Sequence, residues 1–193
     1  MPTPADPDAQ FQADLVALLP QMRAFARSLT GDRAQADDLA QEAMLKAWRG
    51  RGGFQPGTNM KAWTFMILRN QFYSEKRRSW RQTQLDQEAA ERTLVAVDDP
   101  EAPVALDELR QGLGMLPIEQ REALILVGAG GFAYEEAAEI CGCAVGTVKS
   151  RVSRARRALH GILEQGAYDR DGRSAGDAMR SILADAERLS GPR

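Results

Sequence analysis

The chain has 193 residues, 44% hydrophobic and 27% charged, with a formal net charge of −2. That size and balance belong to a soluble protein of one or two small domains, and no apolar run approaches the roughly 18 residues needed to span a bilayer. The polar, acidic start MPTPADPDAQ resembles neither a secretory signal nor a basic transit peptide.

Residues 11–49 contain a single proline and a single glycine and read as two helices. The first, about 11–29, sets Phe11, Leu15, Leu18, Leu19, Met22, Phe25, Ala26 and Leu29 at helical spacing. Gly31 stops it. The second, ADDLAQEAMLKAW, buries Leu39, Ala43 and Ala47 together with Met44 and Trp48. Asp37, Asp38, Gln41 and Glu42 cluster near its expected start, where the helix dipole alone accounts for acids. They are poorly suited to touch DNA, so any functional role is toward a basic protein surface.

RGRGGFQPGTN reads as a loop by every local signal. A third helix follows, about 60–80, with Trp63, Ile67, Phe72 and Met66 facing inward. It interleaves Lys61, Arg69, Lys76, Arg77, Arg78 and Arg81 with Trp63, Phe65, Phe72, Tyr73 and Trp80. Trp63 and Phe72 are the aromatics best spent on packing. Basic residues among aromatics also suit opened DNA, where bases stack and charge tracks the backbone. A plain core helix with a basic end explains the pattern equally well.

Residues 81–103 are rich in Gln and acids and end in two prolines, the composition of a linker carrying at most one short helical segment. Helical signals return from Val104 as VALDELRQGLGML, PIEQREALILVGAGG, YEEAAEICG and VGTVKSRVSRARRALHGILEQG. No segment reads as a paired strand. The expected fold is all-α: two small helical modules, 10–81 and 104–165, joined by an acidic linker at 82–103 and followed by a tail at 166–193. In that tail DAMRSILADAERL places Ala178, Ile182, Leu183, Ala186 and Leu189 on one face, either a weakly docked terminal helix or a binding helix.

The stretch YEEAAEICGCAVGTVKSRVSRARRAL has the pattern of a helix-turn-helix. Ala137, Ala138 and Ile140 face a core, and Gly142 stands where the chain must turn sharply. Val145, Val148, Val152, Ala155 and Leu159 then form a buried stripe. Thr147, Lys149, Ser150, Arg151, Ser153, Arg154 and Arg157 lie opposite. A helix docked in the major groove needs that division, with base edges read near its start and phosphates met further along. An ordinary solvated face mixes signs, whereas no acid lies between Val145 and Leu163.

Two cysteines, Cys141 and Cys143, sit one residue apart in this stretch, too close for an ordinary disulfide and without a CxxC pattern. Small apolar packing beside the turn is their expected role. His160, the chain's one histidine, leaves no metal-ligand spacing and is expected near the end of the helix as a dipole contact. Neither a metal nor another cofactor is expected, nor an enzyme, and the setting is a reducing cytoplasm away from membranes.

ADDLAQEAMLKAW, KAWTFMILRNQFYSEKRR and LPIEQREALILVGAGGFAYEEAAEICGCAVGTVKSRVSRARRAL resemble, in this order, regions two and four of an extracytoplasmic-function (ECF) sigma factor. GCAVGTVKSRVSRAR further resembles the EcfG-like subgroup of the general stress response. The resemblance implies a subunit that brings core RNA polymerase to promoter DNA, with an anti-sigma factor as a further partner. It places Asp37, Asp38, Gln41, Glu42 and Leu45 against the polymerase clamp helices. Phe54, the loop to Asn59, and Asn70 would capture an unpaired base of the −10 element, with Lys76, Arg77 and Arg78 on the nearby backbone. Thr147, Lys149, Ser150, Arg151, Arg154 and Arg157 would read the −35 element. Asp86, Glu88, Glu91, Asp98, Asp99 and Glu101 of the linker are expected to offset both basic faces and limit unspecific DNA binding. Two alternatives stand beside it: a sigma-factor mimic that keeps the architecture and titrates an anti-sigma factor, and a helix-turn-helix transcriptional regulator, which would leave the region-two motifs without a purpose.

Overall fold

A computed structural model describes residues 7–83 and 104–166. The linker acids and the amphipathic stretch of the tail lie outside the described residues. The described residues form seven α-helices and one short 3-10 turn, and the chain divides into two compact units.

The first unit contains α1 (Pro7–Thr30), α2 (Arg33–Arg49), the 3-10 turn Arg51–Gly53 and α3 (Met60–Thr83). Alanine decides its packing. Ala36, Ala40, Ala43 and Ala47 recur at steps of four and three along α2, all buried, and a methyl-sized stripe lets α1 and α3 approach closely. Leu15, Met22, Phe25, Ala26 and Leu29 of α1 close over it with Leu39, Phe65 and Leu68. Phe25 and Phe65 stack with ring centroids 5.1 Å apart. The aromatic that fills this core is therefore Phe65, where the sequence favoured Trp63 and Phe72; those two, like Ile67 and Met66, are half-buried.

α1 ends at Gly31, whose φ of 75° only glycine adopts easily, and Asp32 caps α2 by accepting from the Gln35 N–H at 2.8 Å. The start of α2 thus falls at Arg33, earlier than the sequence suggested. Asp37 and Asp38 lie in its second turn and beyond the strongest dipole field, which falls off within the first turn.

The second unit contains α4 (Val104–Gly114), α5 (Ile118–Gly128), α6 (Tyr134–Cys141) and α7 (Val145–Gly166). The long α7 packs against each of the other three. Leu116, Ala155 and Leu159 form a buried cluster, flanked by Leu109, Leu113, Leu124, Ile162 and Leu163. Arg121 is almost wholly buried, and its Nη1 donates to the carbonyls of Leu113 (3.5 Å) and Gly114 (3.2 Å) at the end of α4. A guanidinium there satisfies terminal carbonyls and meets the negative end of the dipole. Glu122, beside it, is fully buried. α7 continues to Gly166, so His160 lies more than a turn from its end and pairs instead with Glu164, Nδ1 to Oε2 at 3.2 Å.

Between α5 and α6 the chain doubles back through Gly130 and Gly131. A Cβ at Gly130 would sit 2.6 Å from the Leu126 carbonyl oxygen and 2.9 Å from the Phe132 ring, whereas one at Gly128 would meet nothing within 4 Å. Gly130→Ala is therefore expected to destabilise this unit by about 1–3 kcal/mol in denaturant unfolding of the full chain, with Gly128→Ala within about 0.5 kcal/mol of the parent.

Candidate nucleic-acid and polymerase interfaces

Four surfaces carry the residues singled out by sequence. The first is the outer face of α2. With the alanine stripe buried, the helical period turns Asp38, Gln41, Glu42 and Leu45 outward together. Leu45 is 47% exposed, an apolar centre with a polar rim, the anatomy of a protein contact surface. Asp37 sits at the edge of this face, half-exposed and paired with Arg23 of α1, Nε to Oδ1 at 3.2 Å. The dipole does not account for these acids, because with Asp32 as the cap they all lie beyond the first turn of the helix.

The second surface is the loop between α2 and α3. It is internally bonded: Phe54 N–H to the Arg51 carbonyl (3.0 Å), Thr58 N–H and hydroxyl to the Gln55 carbonyl (3.2 and 2.7 Å). Phe54 packs its ring 5.8 Å from Phe11 and 5.3 Å from Trp63, so the side chain anchors the loop at one end. Asn59 anchors the other end as the cap of α3, its Oδ1 accepting from the Ala62 N–H at 3.1 Å. Gln55 to Asn59 are all exposed between these anchors. Arg51 is fixed at the loop's start by Asp8, Nε to Oδ1 at 3.1 Å and Nη2 to Oδ2 at 2.9 Å.

The third surface is the outer face of α3. Thr64, Phe65 and Leu68 face the core, so Asn59, Asn70 and Arg77 fall on the opposite side, with Asn59 and Asn70 separated by roughly 16 Å along the axis. Lys76 and Arg78 lie about 100° to either side of this line, so the three basic residues grouped by sequence do not share one face. All three are exposed, as is Trp80 at 67%. Arg69 lies over the Tyr73 ring, 4.5 Å from its centroid.

The fourth is the helix-turn-helix of α6 and α7. Gly142, at φ 62°, ends α6, and the Cys143 N–H reaches back to the Ala138 carbonyl at 3.1 Å. Glu136 holds the start of α6 by accepting from the Ala133 N–H at 2.9 Å. Val148, Val152, Ala155 and Leu159 are buried, and Val145 is half-buried. The outward strip comprises Thr147, Ser150, Arg154 and Arg157. Ser150 donates to the Thr147 carbonyl (2.9 Å), and Arg154 donates from Nε to the Ser150 carbonyl (3.2 Å) and from Nη2 to its hydroxyl (3.0 Å).

The remaining two basic residues of the expected reading set diverge to the flanks. Arg151 donates from Nη1 to Cys143 Sγ at 3.8 Å, and Lys149 lies 5.7 Å over the Tyr134 ring. Beside Lys149 a shallow groove of about 430 Å³, lined also by Ser153, Arg156, Arg157 and His160, extends the basic surface toward α6. Cys141 is buried and Cys143 half-buried, and neither is in a disulfide.

Sequence reasoning passed over three residues that hold these surfaces. Asp8 lies ahead of the helix start expected at residue 11, and Tyr134 was not singled out within YEEAAEICG. Arg121 carried no signal, because a charged residue in IEQREA normally reads as surface. Among the described residues no helix is long and apolar enough to cross a membrane, and no three His, Cys, Asp or Glu side chains gather as a metal site would require.

This arrangement is that of a sigma-70-type transcription initiation factor. Residues 15–82 match the family model "Sigma-70 region 2", and residues 106–159 match "Sigma-70, region 4". The chain is 50% identical over 150 residues to the ECF RNA polymerase sigma factor EcfG of Rhodopseudomonas palustris (strain TIE-1), covering 78% of this chain and 83% of that relative. Among solved structures it is similar to the sigma factor RpoE of Bartonella quintana, co-crystallised with the anti-sigma factor NepR. That match has 44% identity and a TM-score of 0.74, and covers 83% of this chain and 99% of that one. It is also similar to CnrH in complex with the cytosolic domain of CnrY, at 26% identity and a TM-score of 0.56, over 82% of this chain and 95% of that one. The chain belongs to the ECF sigma factors.

The Asp8–Arg51 pair yields a pH test. Its hydrogen bonds from Arg51, aided by the guanidinium charge, hold the Asp8 carboxyl below the usual carboxylate range and raise Arg51 in turn. A carboxylate depressed in the folded state stabilises above its unfolded pKa, and the contribution is lost as pH falls through the folded value. Wild type should melt above Asp8→Asn at neutral pH, and the two melting temperatures should converge in strongly acid buffer.

Proposed function

We propose that this sigma factor works in the cytoplasm, carrying core RNA polymerase to promoters of the general stress response, and that an anti-sigma factor of the kind bound to the Bartonella RpoE restrains it. The reading rests above all on the division of α7: a buried valine stripe on one side and, on the other, a basic strip without an acid between Val145 and Leu163. A mimic that only occupied an anti-sigma factor would have no use for that strip, which favours a true promoter reader.

In this reading α7 lies in the major groove of the −35 element. Thr147, Ser150 and Arg154 face base edges, while Lys149, Arg151 and Arg157 meet phosphates on either side. The α2 face of Asp37, Asp38, Gln41, Glu42 and Leu45 meets the polymerase clamp. The loop from Phe54 to Asn59 receives an unpaired base of the −10 element, and Asn70, roughly 16 Å further along α3, meets the same strand at a neighbouring nucleotide. Arg77 tracks the adjacent strand, and Lys76 and Arg78 contact backbone from either side. Phe54 serves by anchoring, since its ring is already packed. No step calls for a catalytic group, because opening is driven by binding the separated strand.

Holoenzyme reconstituted from core polymerase and this chain provides the test. Arg157→Ala should weaken binding to −35 duplexes of every sequence and lower the slope of log K against log salt by about 0.9, the share of one phosphate. Thr147→Ala should instead leave the slope unchanged and reduce the preference for the matched site by roughly tenfold. Equal initiation by wild type and an α7 variant lacking Arg154 and Arg157, across a promoter library, would overturn the assignment.

A further inference from the structure

The match to region two begins at residue 15, yet the chain ahead of that point is tied to the start of the −10 loop. Asp8, in the first turn of α1, grips Arg51 through both carboxylate oxygens. The same guanidinium donates to the Trp48 carbonyl at 3.1 Å and lies 4.4 Å over the Trp48 ring. One turn further along α1, Phe11 places its ring 6.2 Å from Trp48, 5.8 Å from Phe54 and 6.2 Å from Trp63. These rings are half-buried, at the margin of a core already closed by Leu15, Met22, Phe25 and Phe65. What they fix is the segment Arg51 to Phe54, which leads directly into the exposed residues 55–59.

We propose that Asp8 and Phe11 are positioning residues for base capture: the two-point Asp8–Arg51 grip and the ring cluster hold the loop at 54–59 in its receiving form before DNA arrives. The inference rests on the reading of that loop as the base-capturing element. Unstacking a promoter base costs a few kcal/mol, and a loop that ordered only at that moment would add its own entropy loss. An exposed ion pair contributes little by itself. A bidentate arginine stacked on an indole is held in one plane, which is where such a pair contributes most.

The experiment uses holoenzyme assembled with the full chain. Promoter opening is followed by a fluorescent base analogue in the −10 element, beside binding to a −35 duplex. Asp8→Asn is expected to slow opening about twofold to fivefold, the range a well-formed surface pair supports, with −35 binding unchanged. Asp8→Arg and Arg51→Asp should each slow opening, and their combination should return it toward the wild-type rate, all measured well below the melting temperature of every variant so that loss of stability does not enter. A combined variant no faster than Arg51→Asp alone overturns the proposal, for Arg51 then acts on DNA directly. Asn59→Asp keeps the cap of α3 while altering the loop's chemistry. If it impairs opening while Asp8→Asn opens at the wild-type rate, the positioning role is wrong and the loop reading stands. If Asn59→Asp opens normally, the loop reading fails and the positioning role falls with it.

Discussion

Burial of Val148, Val152, Ala155 and Leu159 fixes the rotation of α7 about its own axis, and with it the direction of every side chain on its outward strip. A helix with a weaker stripe could roll, and Thr147, Ser150 and Arg154 would then hold no fixed direction; the proposed reading of the −35 element depends on that direction. Three helices are assembled around that stripe. α6 sets the angle through the glycine turn, α5 closes the core, and α4 is pinned by the buried Arg121 at its last carbonyls. The cost of enclosing a guanidinium is offset by the helix end that it completes.

The first unit solves a related problem with different residues. Its working surfaces lie on two helices and the loop between them, so the core must be thin. Alanines along α2 supply that thinness, and each alanine inward leaves its neighbours outward. The acids and Leu45 share one face because Ala36, Ala40, Ala43 and Ala47 occupy the other. Asn59 and Phe54 bracket the loop from its two ends, one through a helix cap and one through aromatic packing.

Much of this was legible in the residues. Seven helices, the turn at Gly142 and the two-sided character of α7 all follow from periodicity and glycine placement, which are local properties. Misreadings arose where a neighbour distant in sequence decides. Phe65, not Phe72, is core because Phe25 of α1 reaches it, and no pattern within α3 announces that partner. Asp37 and Asp38 seemed explained by a helix start until Asp32 took the cap. His160 seemed terminal because the sequence did not show that α7 would run on to Gly166. The partners that Lys149 and Arg151 meet on their opposite flanks, Tyr134 and Cys143, likewise belong to the preceding helix and turn.

The bonding of Arg154 to Ser150 has a consequence for speed as well as fit. A free arginine samples many rotamers, and freezing them on contact costs up to about 2 kcal/mol. Here the guanidinium is already fastened along its own helix through Nε and Nη2. In the proposed reading, meeting a base edge exchanges one set of hydrogen bonds for another rather than arresting a moving chain. A polymerase that must inspect many sites briefly gains from a reading head whose side chains are parked between encounters.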